Sequence, residues 1–85
     1  MKEINYIIKD ELGIHARPAG LLVKEALKFQ SDIKIKVGNK EADAKRLFSI
    51  MGLGIKKGDH ILIAADGIDE AEAITAMGVF LEGNL

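Results

Sequence analysis

The sequence predicts an α+β protein of element order βαββαβα, an open-faced β-sandwich in which three helices cover one face of a four-stranded antiparallel sheet. Two observations carry this prediction. Ile33, Ile35 and Val37 alternate with lysines, which is the period of a strand with one buried and one solvated face. Between positions 16 and 29, apolar residues recur instead at the spacing of one helix face.

Four segments have the composition of strands. The first, residues 4–8, is rich in β-branched and aromatic side chains. The second is the alternating segment 33–37, and Gly38-Asn39 is predicted to make a hairpin turn into a weaker third strand over residues 40–44. The fourth, residues 61–65, is an apolar run bounded by glycine and aspartate on both sides.

Three helices fit between and after these strands. The first is predicted from residue 16 to about residue 29, with its buried face formed by Ala19, Leu22, Val23, Ala26 and Phe29. A short helix over Leu47–Met51 is stopped by two following glycines. The last begins at Asp69, a good N-cap residue with Glu72 three residues later, which is the pattern of a capping box.

Composition restricts the classes of protein. With 85 residues, 48% hydrophobic and 29% charged, the chain is expected to form one domain over residues 1–85. A net charge of −1 argues against a nucleic-acid binder, because such binding depends on neutralising phosphates. The absence of cysteine excludes disulfides and thiol catalysis, and no apolar run is long enough to insert into a membrane. We expect a protein of a reducing compartment, the cytoplasm.

Few side chains can carry chemistry. The two histidines, His15 and His60, are far apart in sequence and lack metal-ligand spacing, so neither a metal site nor another cofactor is expected. His60 precedes the fourth strand outside any recognisable motif, and it is interpreted as a structural or surface residue. Nothing marks Ser31 or Ser49 as an activated nucleophile.

His15 falls where the first strand gives way to the first helix, at or near its N-cap. Imidazole is a poorer N-cap than Ser, Thr, Asp or Asn, so its presence there needs a reason. Pro18, at about the third helical position, has no N–H, and the N–H groups of Ala16 and Arg17 are left free at the positive end of the helix dipole. Such a helix start favours an anion.

The residue types at this helix start indicate phosphoryl transfer. Imidazole titrates near neutrality, so a neutral ring nitrogen is available as a nucleophile at physiological pH. Its attack on a phosphoryl donor would give a phosphohistidine, held by the free N–H groups and by the guanidinium of Arg17. The spacing does not decide which ring nitrogen reacts. On the residues alone, the alternative that His15 only ends a strand and that Arg17 is a solvated charge stays open.

A second stripe on the first helix lies opposite its buried face and consists of Arg17, Gly20, Leu21, Lys24 and Lys28. Glycine inside a helix costs about 1 kcal/mol relative to alanine, and a close approach by another backbone would account for Gly20. In the short helix, four apolar residues cannot all face the core: Leu47, Phe48, Ile50 and Met51. Together these features indicate a docking surface for an acidic, partly apolar protein partner.

These residues resemble a known family. The heptad Gly-Ile-His-Ala-Arg-Pro-Ala at 13–19 is similar to the active-site signature of HPr, the histidine-containing phosphocarrier of the bacterial phosphoenolpyruvate:sugar phosphotransferase system. The similarity extends through residues 44–48 and 53–58 and covers essentially the whole chain. The resemblance implies the same open-faced β-sandwich and a monomeric carrier, not an enzyme acting on a small molecule.

The resemblance also implies roles for individual residues. His15 would accept a phosphoryl group on Nδ1 from phosphorylated enzyme I and pass it to enzyme IIA domains for sugar uptake. Arg17 would assist the transfer, and the backbone N–H groups of Ala16 and Arg17 would hold the phosphate. Partner docking is implied for Gly20, Lys24, Leu47, Phe48 and Met51.

One position departs from the family pattern. Many HPr proteins of Gram-positive bacteria carry a regulatory serine just before the short helix, and Arg46 stands at the matching position here. Control by seryl phosphorylation is therefore doubtful, and the role is not transferred to Ser49. Arg46 places a fixed positive charge where the modification would place a negative one.

Two alternatives to sugar transport keep the same site. A regulator could dock a protein without turning over phosphate, although docking alone would require neither His15 nor Arg17. A carrier could instead serve a nitrogen-related relay or the phosphorylation of dihydroxyacetone. The sequence does not identify the sugars or the individual IIA partners.

Overall fold

The computed structural model describes residues 1–85. Its strands are β1 (Lys2–Ile7), β2 (Asp32–Val37), β3 (Lys40–Asp43) and β4 (His60–Asp66), and its helices are α1 (Ala16–Ala26), α2 (Leu47–Met51) and α3 (Glu70–Asn84). The strands form one sheet in the spatial order β1-β4-β2-β3, and every pairing is antiparallel. The predicted α+β class, the order βαββαβα and the four-stranded antiparallel sheet are confirmed.

One face of the sheet is buried and the other is open. In β2, Ile33 and Ile35 are buried in the core shared with the helices, whereas Lys34 and Lys36 are exposed on the opposite face. The hairpin turn at Gly38-Asn39 is confirmed by the pairing of Val37 with Lys40 and by a positive φ of 59° at Gly38. The alternation of apolar and charged residues along β2 therefore identifies which face of the sheet is buried.

Helix α1 ends three residues earlier than predicted. The chain tightens after Ala26, because the N–H groups of Lys28 and Phe29 bond to carbonyls three residues back. The Lys45 ammonium then donates to the Phe29 carbonyl at 2.8 Å, which fixes this turn against the segment before α2. Val23 and Phe29 are half-buried against the core, as residues of the predicted apolar face.

At the start of α3 the predicted capping box is wrong, although Asp69 does occupy the N-cap position. Its carboxylate caps no helix N–H and instead accepts the Ser31 hydroxyl and the backbone N–H groups of Ser31 (2.9 Å) and Gln30 (2.8 Å). The Ser31 hydroxyl, followed by the Gln30 N–H, lowers the pKa of Asp69 below its ordinary value of 3.8. Asp69 therefore joins the loop after α1 to the loop before α3.

Crossing a bilayer would require a longer and more apolar helix than any that the structure contains.

Candidate functional site

His15 occupies the N-cap of α1, with an extended backbone at φ −110° and ψ −174°. Its side chain is half-exposed and makes no capping hydrogen bond. Neither ring nitrogen is hydrogen-bonded to another protein group. The imidazole is therefore free to react with a group that arrives from solvent.

The backbone before His15 is held against a second loop. Gly13 has a positive φ of 65°, and a Cβ built on it would lie 2.4 Å from the Ile55 carbonyl oxygen. The next residue, Ile14, donates its N–H to that same carbonyl at 3.1 Å. Glycine is required here because the two backbones approach too closely for any side chain, and this contact fixes the point at which His15 enters the helix.

The first turn of α1 presents two free donors beside the imidazole. Pro18 has no N–H, and the N–H of Ala19 bonds back to the His15 carbonyl at 3.0 Å. The backbone N–H groups of Ala16 and Arg17 have no acceptor in the protein. The exposed Arg17 guanidinium is in no ion pair. Two N–H donors, one guanidinium and the helix dipole thus favour an anion next to His15.

A cavity of about 240 Å³ opens at this helix start, and we call it the acceptor cavity. It is lined by Asp10, His15, Arg17, Pro18, Leu21, Gly83 and Asn84. A larger cavity of about 860 Å³ contains His60 together with Tyr6, Lys9 and Glu82, and shares no residue with the acceptor cavity. His60 is exposed in the structure. The two histidines therefore belong to different surfaces.

Three residues of the acceptor cavity were not predicted from the sequence: Asp10, Gly83 and Asn84. The end of α3 comes to His15 because a backbone oxygen of Leu85 accepts the N–H groups of Lys9 (2.6 Å) and Asp10 (2.8 Å). No local signal could have revealed this contact, since its two sides are separated by almost the whole chain.

The residues implied in docking are mostly accessible on α1 and α2, and we call them the docking patch: Gly20, Lys24, Leu47, Phe48 and Met51. Phe48 is 84% exposed and Met51 is 39% exposed, whereas the intervening Ile50 is fully buried. This confirms that the apolar residues of α2 do not all face the core. Leu47 is half-buried and packs against the core, so it supports the patch from below.

The remaining two members of the docking patch lie on α1. Lys24 is exposed and is in no ion pair. An added Cβ at Gly20 would meet nothing within 4 Å. Glycine is thus not required there by this chain's own packing.

Arg46 occupies the N-cap of α2, without a capping bond from its side chain. Its Nε lies 3.8 Å from a carboxylate oxygen of Asp43, and its side chain is largely exposed. A surface ion pair of this length is weak, so the charge of Arg46 remains available to solvent or to a partner.

The open-faced α+β fold thus presents an unbonded histidine and an unpaired arginine at the start of α1. Comparison with known proteins shows the family to which this chain belongs. A family profile described as "PTS HPr component phosphorylation site" matches residues 2–83. Phosphocarrier protein HPr of Mycoplasma pneumoniae is 46% identical over 83 residues, which are 96% of this chain and 94% of the relative.

Solved structures of HPr proteins agree with the family profile and the sequence relative. The histidine-containing phosphocarrier protein in a structural study of Mycoplasma divergence superposes with a TM-score of 0.94 at 40% identity, covering 96% of this chain and 93% of that one. An HPr dimer from Thermoanaerobacter tengcongensis gives a TM-score of 0.78 at 43% identity, covering 98% of this chain and 95% of that one. The chain belongs to the HPr family, the phosphocarrier proteins of the phosphotransferase system, and members of this family are carriers and not catalytic enzymes.

Proposed function

We propose that His15 is the transient phosphoryl acceptor of this HPr protein, with Nδ1 as the reacting nitrogen. The observation that carries the proposal is the free imidazole beside two free N–H groups and an unpaired guanidinium. In the reaction, the lone pair of the ring nitrogen forms a bond to phosphorus while the bond from phosphorus to the donor atom breaks, and the donor keeps that electron pair. The phosphoryl oxygens then lie against the N–H groups of Ala16 and Arg17 and the Arg17 guanidinium.

The donor in this proposal is phosphorylated enzyme I and the acceptors are enzyme IIA domains, in a relay for sugar uptake located in the cytoplasm. The docking patch is their contact surface. Exposed Phe48 and Met51 offer apolar area to a partner, while Lys24 offers an unpaired positive charge. The open space above Gly20 allows a partner backbone to approach α1 directly.

Intact-mass analysis after incubation with phosphoenolpyruvate, Mg²⁺ and a bacterial enzyme I tests the acceptor. We expect an acid-labile gain of one phosphoryl group in the parent and none in His15→Ala. His60→Ala is the matched control, because it removes the only other imidazole and should gain the phosphoryl group normally. A folded parent that gains nothing would contradict the proposal and favour a regulator that docks without transferring phosphate.

The choice of partners is tested by comparing phosphoryl donors and acceptors from different relays. Transfer from enzyme I to a sugar IIA domain supports the sugar relay. Exclusive transfer within nitrogen-related or dihydroxyacetone-linked components would contradict it, while leaving His15 as the acceptor.

The docking patch is tested by removing its most exposed apolar side chain, that of Phe48. Phe48→Ala should raise the KM for transfer from enzyme I severalfold with little change in kcat, because the contact is made on binding. Val79→Ala is the matched control, since Val79 is similarly exposed, at 70%, but lies on α3 outside the patch. Equal effects of the two substitutions would place docking elsewhere.

Arg46 is proposed to make the surface permanently competent for acidic partners. Arg46→Asp should therefore slow transfer from enzyme I more than Lys40→Asp, a charge reversal on β3. An unchanged rate in Arg46→Asp would contradict this role.

We further propose that the protein acts as a monomer. Sedimentation velocity across a range of concentrations should give a single species of about 9.2 kDa. A dimer at working concentration would contradict this and would resemble the assembly named for the Thermoanaerobacter tengcongensis protein.

A further inference from the structure

Asp10 brings a carboxylate to the acceptor cavity, which otherwise attracts anions. It lines that cavity together with His15 and Arg17. Its Oδ1 accepts the N–H of Leu12 at 2.8 Å, and no lysine or arginine nitrogen lies within 4.0 Å of either oxygen. Asp10 and Arg17 therefore share the cavity without forming an ion pair.

The next residue in the chain is also acidic, but its charge is paired. Glu11 is paired with Lys57 at 2.6 Å, which draws its charge towards the loop before β4. Asp10 is thus the one acidic side chain that lines the acceptor cavity, and it forms no ion pair in the protein.

We propose that Asp10 keeps the phosphoryl group on His15 transferable by repelling it. This proposal rests on the proposed function of His15. A phosphoryl group carries between one and two negative charges at neutral pH, so a nearby carboxylate raises the free energy of the phosphorylated form relative to the free form. Arg17 and the two N–H groups act in the opposite direction and hold the group in place.

A site that combines the repelling Asp10 carboxylate with attracting donors suits a carrier, because a carrier must release the phosphoryl group that it has bound. When the phosphoryl group moves on, the acceptor's nucleophile forms a bond to phosphorus, the bond from phosphorus to the ring nitrogen breaks, and its electron pair returns to His15. A site containing only donors would stabilise the phosphorylated carrier and slow this departure. Asp10 reduces that stabilisation, so that the phosphoryl group can be transferred to His15 and also away from it.

The carboxylate is held in place by the turn that it forms. The Asp10 N–H donates to a backbone oxygen of Leu85 at 2.8 Å, and the Asp10 carbonyl accepts the N–H of Gly13 at 3.0 Å. The side-chain bond to Leu12 is the only one of the three that holds the carboxylate itself. The charge can therefore change its position only by breaking that bond.

Asp10→Asn tests the charge alone, because the amide oxygen retains an acceptor for the Leu12 N–H at the same volume. The matched control is Asp59→Asn. Asp59 also closes a turn, with its Oδ2 accepting the N–H of Lys56 at 2.8 Å, but it does not line the acceptor cavity. Asp10→Ser is a second variant that removes the charge and can still bond to the turn.

The measurement is the equilibrium constant for phosphoryl exchange with phosphorylated enzyme I, read by intact mass, together with the lifetime of the phosphohistidine. Removing one charge from a partly exposed site should shift the equilibrium towards the phosphorylated carrier by roughly threefold to tenfold. Asp10→Asn and Asp10→Ser should both show this shift, and Asp59→Asn should not. The shift should also shrink at high salt, which a change in packing would not cause.

The outcomes separate this proposal from the one on which it rests. If the parent and the Asp10 variants are all phosphorylated with the same equilibrium constant, the role of Asp10 is overturned and His15 remains the acceptor. If the parent takes no phosphoryl group, both proposals fail.

Discussion

Gly13 is the position at which stability and the candidate site depend on the same few atoms. With φ at +65°, an added Cβ would lie 2.4 Å from the Ile55 carbonyl oxygen and 2.7 Å from the Lys56 Cα. Both are backbone atoms, so neither can rotate out of the way. We therefore expect Gly13→Ala to push the loop before α1 away from residues 55–56.

The magnitude has two contributions. The left-handed backbone conformation costs an L-residue about 1–2 kcal/mol. Separating the two loops also breaks the 3.1 Å hydrogen bond between the buried residues Ile14 and Ile55, and an unsatisfied buried group costs about 1–3 kcal/mol. The free energy of unfolding should fall by about 2–5 kcal/mol, which lowers the Tm of a domain this size by about 10 °C or more.

Gly38→Ala separates the two contributions. Gly38 has almost the same φ, +59°, but an added Cβ there would meet nothing within 4 Å. Urea unfolding followed by circular dichroism should therefore show a loss of only about 1–2 kcal/mol for Gly38→Ala. The initial rate of phosphorylation should fall in Gly13→Ala alone, since His15 follows two residues later. Equal losses of stability in the two variants would refute the reasoning, because the close approach would then contribute nothing.

Three further predictions concern the fold around the site. Because the pKa of Asp69 is lowered, its charge stabilises the folded state above the ordinary carboxyl pKa of 3.8 and loses this effect as the pH falls through the lowered value. Asp69→Asn should thus be less stable than the parent at pH 7 and approach it in acid unfolding; a constant difference down to low pH would contradict the assignment. Lys45→Met removes the donor to the Phe29 carbonyl and should cost about 1–2 kcal/mol in urea unfolding, whereas Lys40→Met should change stability by less than about 0.5 kcal/mol. Ile63 is fully buried, so Ile63→Val should cost about 0.5–1.5 kcal/mol by the same assay, and a neutral effect would mean that the core can collapse around the missing methyl group.

The sequence predicted the elements well where their signals are local. The alternation at 33–37 and the helical spacing after residue 16 follow from the two side-chain periods, and the order βαββαβα limits the arrangement to helices on one face of an antiparallel sheet. The pairing of β1 with β4 and of β4 with β2 brings together segments far apart in sequence, which local periodicity does not encode.

Two predictions failed because a residue that is distant in sequence takes the place of the local hydrogen-bond partner. Asp69 has the composition of a capping-box residue, but Ser31 and Gln30 reach its carboxylate from the loop after α1. The first helix has apolar spacing as far as Phe29, but the chain tightens after Ala26 and Lys45 takes the Phe29 carbonyl. In both cases a contact between distant segments replaced the interaction that local sequence favours.

The same distinction divides the candidate site. The sequence alone determined the combination of His15 and Arg17 with two free N–H groups, because a helix start and its unpaired donors are set within a few consecutive residues. Only the tertiary structure decided that Asp10 and Asn84 line the same cavity and that Gly13 lies against Ile55. Those positions depend on hydrogen bonds between distant segments, such as the one that carries Asp10 to Leu85, and such contacts exist only after the chain has folded.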